Sequence, residues 1–221
     1  AKLADVLKPL GNKVLLTYGG GNIKKMGLYD KVIELLKDFT VVELSGIQPN
    51  PKYDPSVLDG VRLCKENQVD VILAVGGGSV LDCSKAIAAG AKYDGDPWDL
   101  ITYKVPTTAA LPIVDIMTLA ATGSEYDAGG VISRTETNDK VGYVSPYLFP
   151  VASFLDPTYT FSVSKKQTAA GCADAMNHTM EQYFTADTTL LNDGICEANL
   201  RSLMENTKTI LENPEDYRAR A

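Results

Sequence analysis

The chain has 221 residues, 45% of them hydrophobic and 22% charged, enough for one large soluble core or one and a half ordinary ones. A formal net charge of −7, with no basic stripe among aromatics, argues against nucleic acid as a partner, and no apolar run reaches the ~18 residues that span a bilayer. Cys64, Cys83, Cys172 and Cys196 fit neither a Cys-x-x-Cys pair nor a disulfide framework and read as reduced thiols of a cytoplasmic protein, and the charged opening Ala1-Lys-Leu-Ala-Asp-Val predicts no signal peptide.

In chain order, residues 2–10 predict a short helix and Lys13–Tyr18 a buried strand. The glycine turn Gly19-Gly-Gly-Asn22 follows, then a helix from about Leu28 to Lys37 and a strand over Thr40–Leu44, which together make a βαβ unit. Ser45 to Pro55 is a proline-rich loop. The helix predicted over Ser56–Asn67 places Val57, Leu58, Val61 and Leu63 on one side. Residues 93–98 end the next helix, and 99–110 read as irregular. Leu111–Thr118 is a strand candidate that runs into the small and hydroxyl-bearing Leu119–Glu125. Two short strands, at Val131 and Val141, flank the polar turn Arg134–Asp139, and Val151–Leu155 reads as another buried strand. After Asp156-Pro157 the strand signals cease. Ser164-Lys-Lys-Gln167 is a capping box opening a helix to about Phe184, a second helix runs from Leu190 to Leu211, and Tyr217 begins another. The fold class is therefore α/β: a Rossmann-like parallel-sheet domain over 1–156, followed by the start of an all-α domain over 157–221.

Around Val69–Val75 the pattern is densest. This β-branched run, the signature of a strand buried on both faces, meets Gly76-Gly-Gly-Ser79 and then a helical stretch from Val80 to Ala89. Strand, glycine turn and helix together aim bare N–H groups, at the positive end of a helix dipole, above the strand. Glycine removes the Cβ that would keep a phosphate out, so a diphosphate is the natural guest; a tight βα turn without a ligand is the plain alternative. In a doubly wound sheet both glycine turns lie at the carboxyl edge, where ligands bind.

The one histidine, His178, stands four residues after Asp174, so on a helix both share a face and can grip a divalent cation. Glu181, three residues on, could bind, orient His178 or face water. An ordinary Asp–His surface pair is the alternative, and two ligands are too few for a catalytic metal.

The pieces Gly19-Gly-Gly-Asn-Ile-Lys-Lys25, Gly46-Ile-Gln-Pro-Asn-Pro51, Ala74-Val-Gly-Gly-Gly-Ser-Val-Leu-Asp82, Ala121-Thr-Gly-Ser-Glu125, Val131-Ile-Ser-Arg134, Asp156-Pro157 and Asp174 with His178 occur in this order across nearly the whole chain. As a set they resemble the iron-containing (group III) alcohol dehydrogenases, in the branch of the butanol dehydrogenases and NADPH-dependent aldehyde reductases. The resemblance implies an α/β dinucleotide-binding domain followed by a helical metal domain, with the cofactor between them. It implies that Gly76, Gly77, Gly78 and Ser79 hold the pyrophosphate, that Asp82 lies near the nicotinamide ribose, and that Thr118, Thr122 and Ser124 line the cofactor. Lys140 would reach ribose or phosphate, Gly20 and Asn22 would flank the adenosine ribose, and Asp174 and His178 would be two of four ligands to iron or zinc. The implied reaction is hydride transfer between NAD(P)(H) and a small alcohol or aldehyde, with the metal as Lewis acid, in a homodimeric enzyme.

An acid after the first strand would favour a ribose 2′-OH and repel a 2′-phosphate. None stands in Gly19–Asn22, while Lys24 and Lys25 follow, so NADP(H) is expected over NAD(H), the two lysines otherwise being a solvated helix start. The family's two further histidine ligands are missing, and the chain is expected to be a fragment that also lacks a short leading segment. A catalytically incomplete dinucleotide-binding fragment is therefore one alternative. A metal-free relative, maleylacetate reductase-like or dehydroquinate synthase-like, is another. No Gly-Lys-Ser/Thr follows either turn, which argues against a P-loop, and no Tyr-x-x-x-Lys sits where a short-chain dehydrogenase would need it.

Overall fold

A computed structural model describes residues 2–221 and divides them into two compact units. One unit runs to Met117 and resumes over Thr122–Leu155; the other takes Thr118–Ala121 and Asp156–Ala221.

The strands of the first unit are β1 (Lys13–Tyr18), β2 (Thr40–Leu44), β3 (Val71–Gly76), β4 (Ile113–Met117), β5 (Gly129–Arg134), β6 (Asp139–Val144) and β7 (Ala152–Leu155). Five of them form one parallel sheet in the order β2-β1-β3-β4-β7, and β5 and β6 make a separate antiparallel hairpin. Every residue of central β3 is buried, which is why its sequence is an unbroken apolar run. Tyr18 pairs with Val75, and Gly76 with Met117, so both glycine turns leave the sheet at its carboxyl edge. The helices are α1 (Lys2–Leu7), α2 (Asn22–Lys25), α3 (Leu28–Leu35), α4 (Leu58–Asn67), α5 (Gly78–Ala91) and α6 (Pro97–Ile101). In α5, twelve of fourteen residues are buried, so it is a core helix rather than an amphipathic cover. Its alanines and Gly90 admit close neighbours: a Cβ on Gly90 would lie 2.6 Å from Val61 of α4.

Three local expectations change. The buried face of the Ser56–Asn67 region is Val57, Val61 and Cys64, while Leu58 is exposed, because adjacent residues on a helix point about 100° apart. Irregular structure was expected through 99–110, but Asp96 caps α6 by accepting from the Trp98 N–H at 3.0 Å, with Pro97 in the first turn. The strand at Val151–Leu155 is not buried. It is the sheet's edge, bonded only to β4, and Leu155 is 63% exposed.

The second unit is helical: α7 (Lys165–Tyr183), α8 (Leu190–Glu212) and α9 (Tyr217–Arg220). Ser164 caps α7 by accepting from the Gln167 N–H at 3.3 Å, and Thr189 caps α8 in the same way. Only Thr168, Cys196 and Ile210 are buried along these two long helices, and Phe184, Leu190, Leu191 and Met204 stand exposed. No helix among the described residues is long and apolar enough to cross a membrane.

Candidate functional site

The turn after β3 is approached closely by the side chains of Val80 and Thr122. Gly77 is extended, and Gly78 starts α5 with no side chain capping the helix and no acid in its first turn. A Cβ on Gly78 would sit 2.6 Å from the Thr122 hydroxyl oxygen, so glycine is what lets the 122–129 loop lie against the helix start. The N–H groups of Val80 and Leu81 turn back to the Gly77 carbonyl at 2.9 and 3.3 Å. The arrangement leaves a positively polarised, glycine-lined helix start beside a hydroxyl-bearing loop.

One turn along α5, Asp82 points into that loop. Its Oδ1 accepts from the Ser124 hydroxyl at 2.8 Å and its Oδ2 from the Val131 N–H at 2.9 Å. Burial pushes its carboxyl above the ordinary value, and these two hydrogen bonds pull the other way. The Tyr143 hydroxyl donates to the Asp82 carbonyl at 2.8 Å, so the hairpin is tied to the same turn of α5. Gly130 makes this approach possible, since a Cβ there would come 3.2 Å from Asp82 Cα and Cβ.

The residue that sequence reasoning missed is Lys85. Its side chain is fully buried, and its ammonium lies 2.7–3.1 Å from five oxygens: Ser124 carbonyl and hydroxyl, Asp127 carbonyl and Oδ1, and Gly129 carbonyl. A lysine inside an alanine-rich buried helix was the available signal, since lysine is almost never fully buried unless paired.

At the first glycine turn, Gly21 is left-handed with φ 104°, and nothing lies within 4 Å of a Cβ built on Gly20 or Gly21. Asn22 begins α2. The Gly46 N–H donates to the Gly19 carbonyl at 3.2 Å, and Lys140 on β6 donates to Asn50 at 3.0 Å, so the 46–51 loop carries Lys140 to this side of the sheet. Lys24 holds its ammonium over the rings of Tyr18 and Tyr29, 5.2 and 4.5 Å from their centroids. Both tyrosine hydroxyls donate to Glu43 at the end of β2, at 2.7 and 2.9 Å. That hydrogen bond raises the Tyr29 phenol to about 12. Glu43 was overlooked because the acid was sought inside the turn, whereas dinucleotide folds carry it about 20 residues on, at the end of the second strand. Here two phenols occupy it.

The second unit carries Asp174, His178 and Glu181 on α7. His178 Nε2 lies 3.7 Å from Asp174 Oδ1, and Nδ1 3.3 Å from Glu181 Oε2, with all three side chains 60–69% exposed. Among the described residues no group of three or more His, Cys, Asp and Glu could hold a metal ion. The donors present therefore do not make a metal centre by themselves. A cleft of about 510 Å³ between α7 and α8, lined by His178, Gln182, Asn192 and Cys196, opens beside them. Thr118 follows β4 in the stretch grouped with this unit and is buried.

Residues 1–157 match the family described as iron-containing alcohol dehydrogenase, and residues 168–221 match the C-terminal part of the Fe-containing alcohol dehydrogenase family. This chain belongs to the iron-containing alcohol dehydrogenase family. It is 50% identical to the probable NADH-dependent butanol dehydrogenase 1 of Bacillus subtilis, over 99% of this chain and 57% of that protein. It is 44% identical to the NADPH-dependent aldehyde reductase YqhD of Escherichia coli, over 96% of this chain and 56% of that one. The crystal structure of NADH-dependent butanol dehydrogenase A from Thermotoga maritima superposes with a TM-score of 0.96 at 42% identity, covering all of this chain and 56% of its own. The chain thus spans a little over half the length of the relatives it matches.

Proposed function

We propose that the chain is the dinucleotide-binding part, over 1–156, and the start of the helical part, over 157–221, of an oxidoreductase acting between NAD(P)(H) and a small alcohol or aldehyde. The observation that carries this reading is the uncapped, glycine-lined start of α5 against Thr122. In this reading Gly76, Gly77, Gly78 and Ser79 offer backbone N–H groups to the pyrophosphate. Thr122 and Ser124, with Thr118, line the nicotinamide side, and Asp82 acts there by holding Ser124 and Val131 in place. Gly20 and Asn22 flank the adenosine ribose, with Lys140 at hand for ribose or phosphate. When bound, the nicotinamide supplies the hydride donor or acceptor at its C4.

Cofactor preference follows from charge. Lys24 is exposed beside the first turn, while Glu43, the acid that would select a ribose 2′-OH, is held by two tyrosines. This supports NADP(H) over NAD(H). The names of the relatives go both ways, NADH-dependent for the butanol dehydrogenases and NADPH-dependent for the aldehyde reductase. Four free cysteines support a cytoplasmic setting, and exposed Phe149, Val151 and Leu155 around the edge strand support a homodimer.

A second reading, for the chain taken alone, is a dinucleotide binder without metal chemistry. The exposed Asp174–His178 pair, short of further donors, favours it. Thermal unfolding with NADPH, then NADH, each with and without Zn²⁺, tests both. A ligand that binds only the folded chain adds about 2.7 kcal/mol of stability at a hundred times its Kd. The expected result is a rise in Tm with NADPH, a smaller one with NADH, and indifference to Zn²⁺. No rise with either nucleotide would sink the dinucleotide reading for this chain.

A further inference from the structure

We infer that Lys85 is a positioning residue that shapes the 122–129 loop to receive the nicotinamide half of the dinucleotide. This rests on the reading of Gly76–Ser79 as the dinucleotide site. The loop between β4 and β5 holds little regular structure beyond a single 3₁₀ turn at Ser124–Tyr126. Its carbonyls therefore have no ladder to join, and buried carbonyls must find donors elsewhere. Two of them, from Ser124 and Asp127, converge on the one ammonium at 2.7 and 2.9 Å, joined by the Gly129 carbonyl at the start of β5 at 2.7 Å. The Ser124 hydroxyl and Asp127 Oδ1 complete the set at 3.1 and 2.8 Å. An ammonium has three hydrogens, so five oxygens saturate it; conversely, without it the five oxygens would face one another with nothing between them.

The same residues shape the wall beside the helix start. Ser124 also donates to Asp82, and Asp127 Oδ1 accepts from the Gly129 N–H at 2.7 Å, closing the turn that Lys85 grips. A second anchor reaches the loop from the sheet: the Ser153 hydroxyl lies 3.3 Å from the Glu125 carbonyl. The adenosine side, built from Gly19–Asn22, Lys24 and the Lys140–Asn50 pair, meets this network only through the backbone ladder of the β5–β6 hairpin, where Ser133 pairs with Lys140, and not through a side-chain hydrogen bond. Removing the ammonium therefore acts on one half of the ligand. A lysine that only stabilised the core would weaken both halves or neither.

The test is Lys85→Met, which keeps the buried stem and removes the cation. Affinities of wild type and variant are measured by titration for NADPH and for 2′,5′-ADP, a probe confined to the adenosine half. Loss of hydrogen bonds to a charged group predicts a fall of about tenfold or more for NADPH, with 2′,5′-ADP changed less than about twofold. Equal loss of both, or loss of neither, would overturn the inference. Wild type that binds neither ligand would instead overturn the dinucleotide reading beneath it. Should Lys85→Met fail to fold, Asp127→Ala removes one acceptor and keeps the lysine. It is expected to cost about threefold for NADPH and nothing for 2′,5′-ADP, and equal effects on the two would again overturn the role.

Discussion

The start of α5 and the middle of α7 carry the two sets of candidate site residues, yet they differ in burial and in how their polar groups are answered. At α5 the polar groups are buried and answered within the chain: Asp82 by Ser124 and Val131, Lys85 by five oxygens, Ser84 by Thr17 at 2.7 Å. At α7, the side chains of Asp174, His178 and Glu181 are exposed, and His178 lies 3.7 Å from Asp174 and 3.3 Å from Glu181. A site whose supporting contacts are complete is shaped before its ligand arrives, which lowers the ordering that binding must offset. Two exposed donors on one helix turn have no such shape, and water competes for the cation on every open side. On the proposed reading, dinucleotide binding belongs to the answered helix start of α5, while Asp174, His178 and Glu181 do not by themselves make a metal centre among the described residues.

The largest expected effect comes from filling the cradle at α5. Gly78→Val places a branched side chain where even a Cβ would be 2.6 Å from the Thr122 hydroxyl. The loop must then move off the helix start. NADPH binding should fall by about a hundredfold, roughly 2.7 kcal/mol, with a folded circular dichroism spectrum retained. Unchanged NADPH affinity would separate the turn from the ligand and break the contrast drawn between the two helices.

A pH-dependent effect sharpens the claim that the polar groups around α5 are answered, because two buried atoms elsewhere in the first unit, Asp115 Oδ1 and Arg134 Nε, have no partner among the described residues. Asp115 lies in β4 with its side chain fully buried. Its Oδ2 accepts from Ser153 at 2.6 Å, and its Oδ1 has no partner. Burial pushes its carboxyl up from 3.8 to about 6. The folded state thus holds the proton more tightly than the unfolded one. The associated stability is fully present below the unfolded value near 3.8 and is lost as pH rises through about 6. At 1.36 kcal/mol per pH unit the loss is on the order of 3 kcal/mol between pH 3.5 and 7.5. Asp115→Val should remove this dependence and be the more stable chain at pH 7.5, by about 2 kcal/mol, with the advantage vanishing below pH 4. Denaturant unfolding followed by the fluorescence of Trp98, the chain's one tryptophan, reads this out. A wild type equally stable at both pH values would show that Asp115 is ionised in the fold without penalty.

Much of this was legible in the residues, and the exceptions share a cause. β1 and β2 fall on the expected residues, because an apolar run between turn formers is a local signal. The strand, triple glycine and helix at 71–91 are equally local, apart from α5 starting at Gly78 rather than Val80. What was missed is decided by partners far along the chain. Val151–Leu155 is as apolar as a central strand, but sheet order puts it at the edge, and order is a property of crossovers rather than of the strand. Lys85 reads as one charge in an alanine helix, and its acceptors lie 39–44 residues downstream in a loop with little regular structure. Glu43 reads as a strand-end charge until Tyr18 and Tyr29 close on it. At α7 the sequence carried the spacing of Asp174 and His178 but not their exposure, which distinguishes a pair of ligands from a finished centre.

The smallest expected effect is the sharpest on that last point. His178→Ala removes an imidazole that is 69% exposed and bonded to no buried group. Surface changes of this kind stay within about 0.5 kcal/mol, so Tm in the absence of ligand should be unchanged. The NADPH-induced rise in Tm should be unchanged as well, because the partners of Asp82 and Lys85 are Ser124, Asp127, Gly129, Val131 and Tyr143, all within the first unit. Any Zn²⁺-induced rise in the wild type should be slight and should disappear in the variant, since one carboxylate alone binds a cation weakly. If His178→Ala instead abolished the NADPH response, the two helices would be parts of one site in this chain, and the division between a shaped nucleotide cradle and an unfinished metal pair would fall.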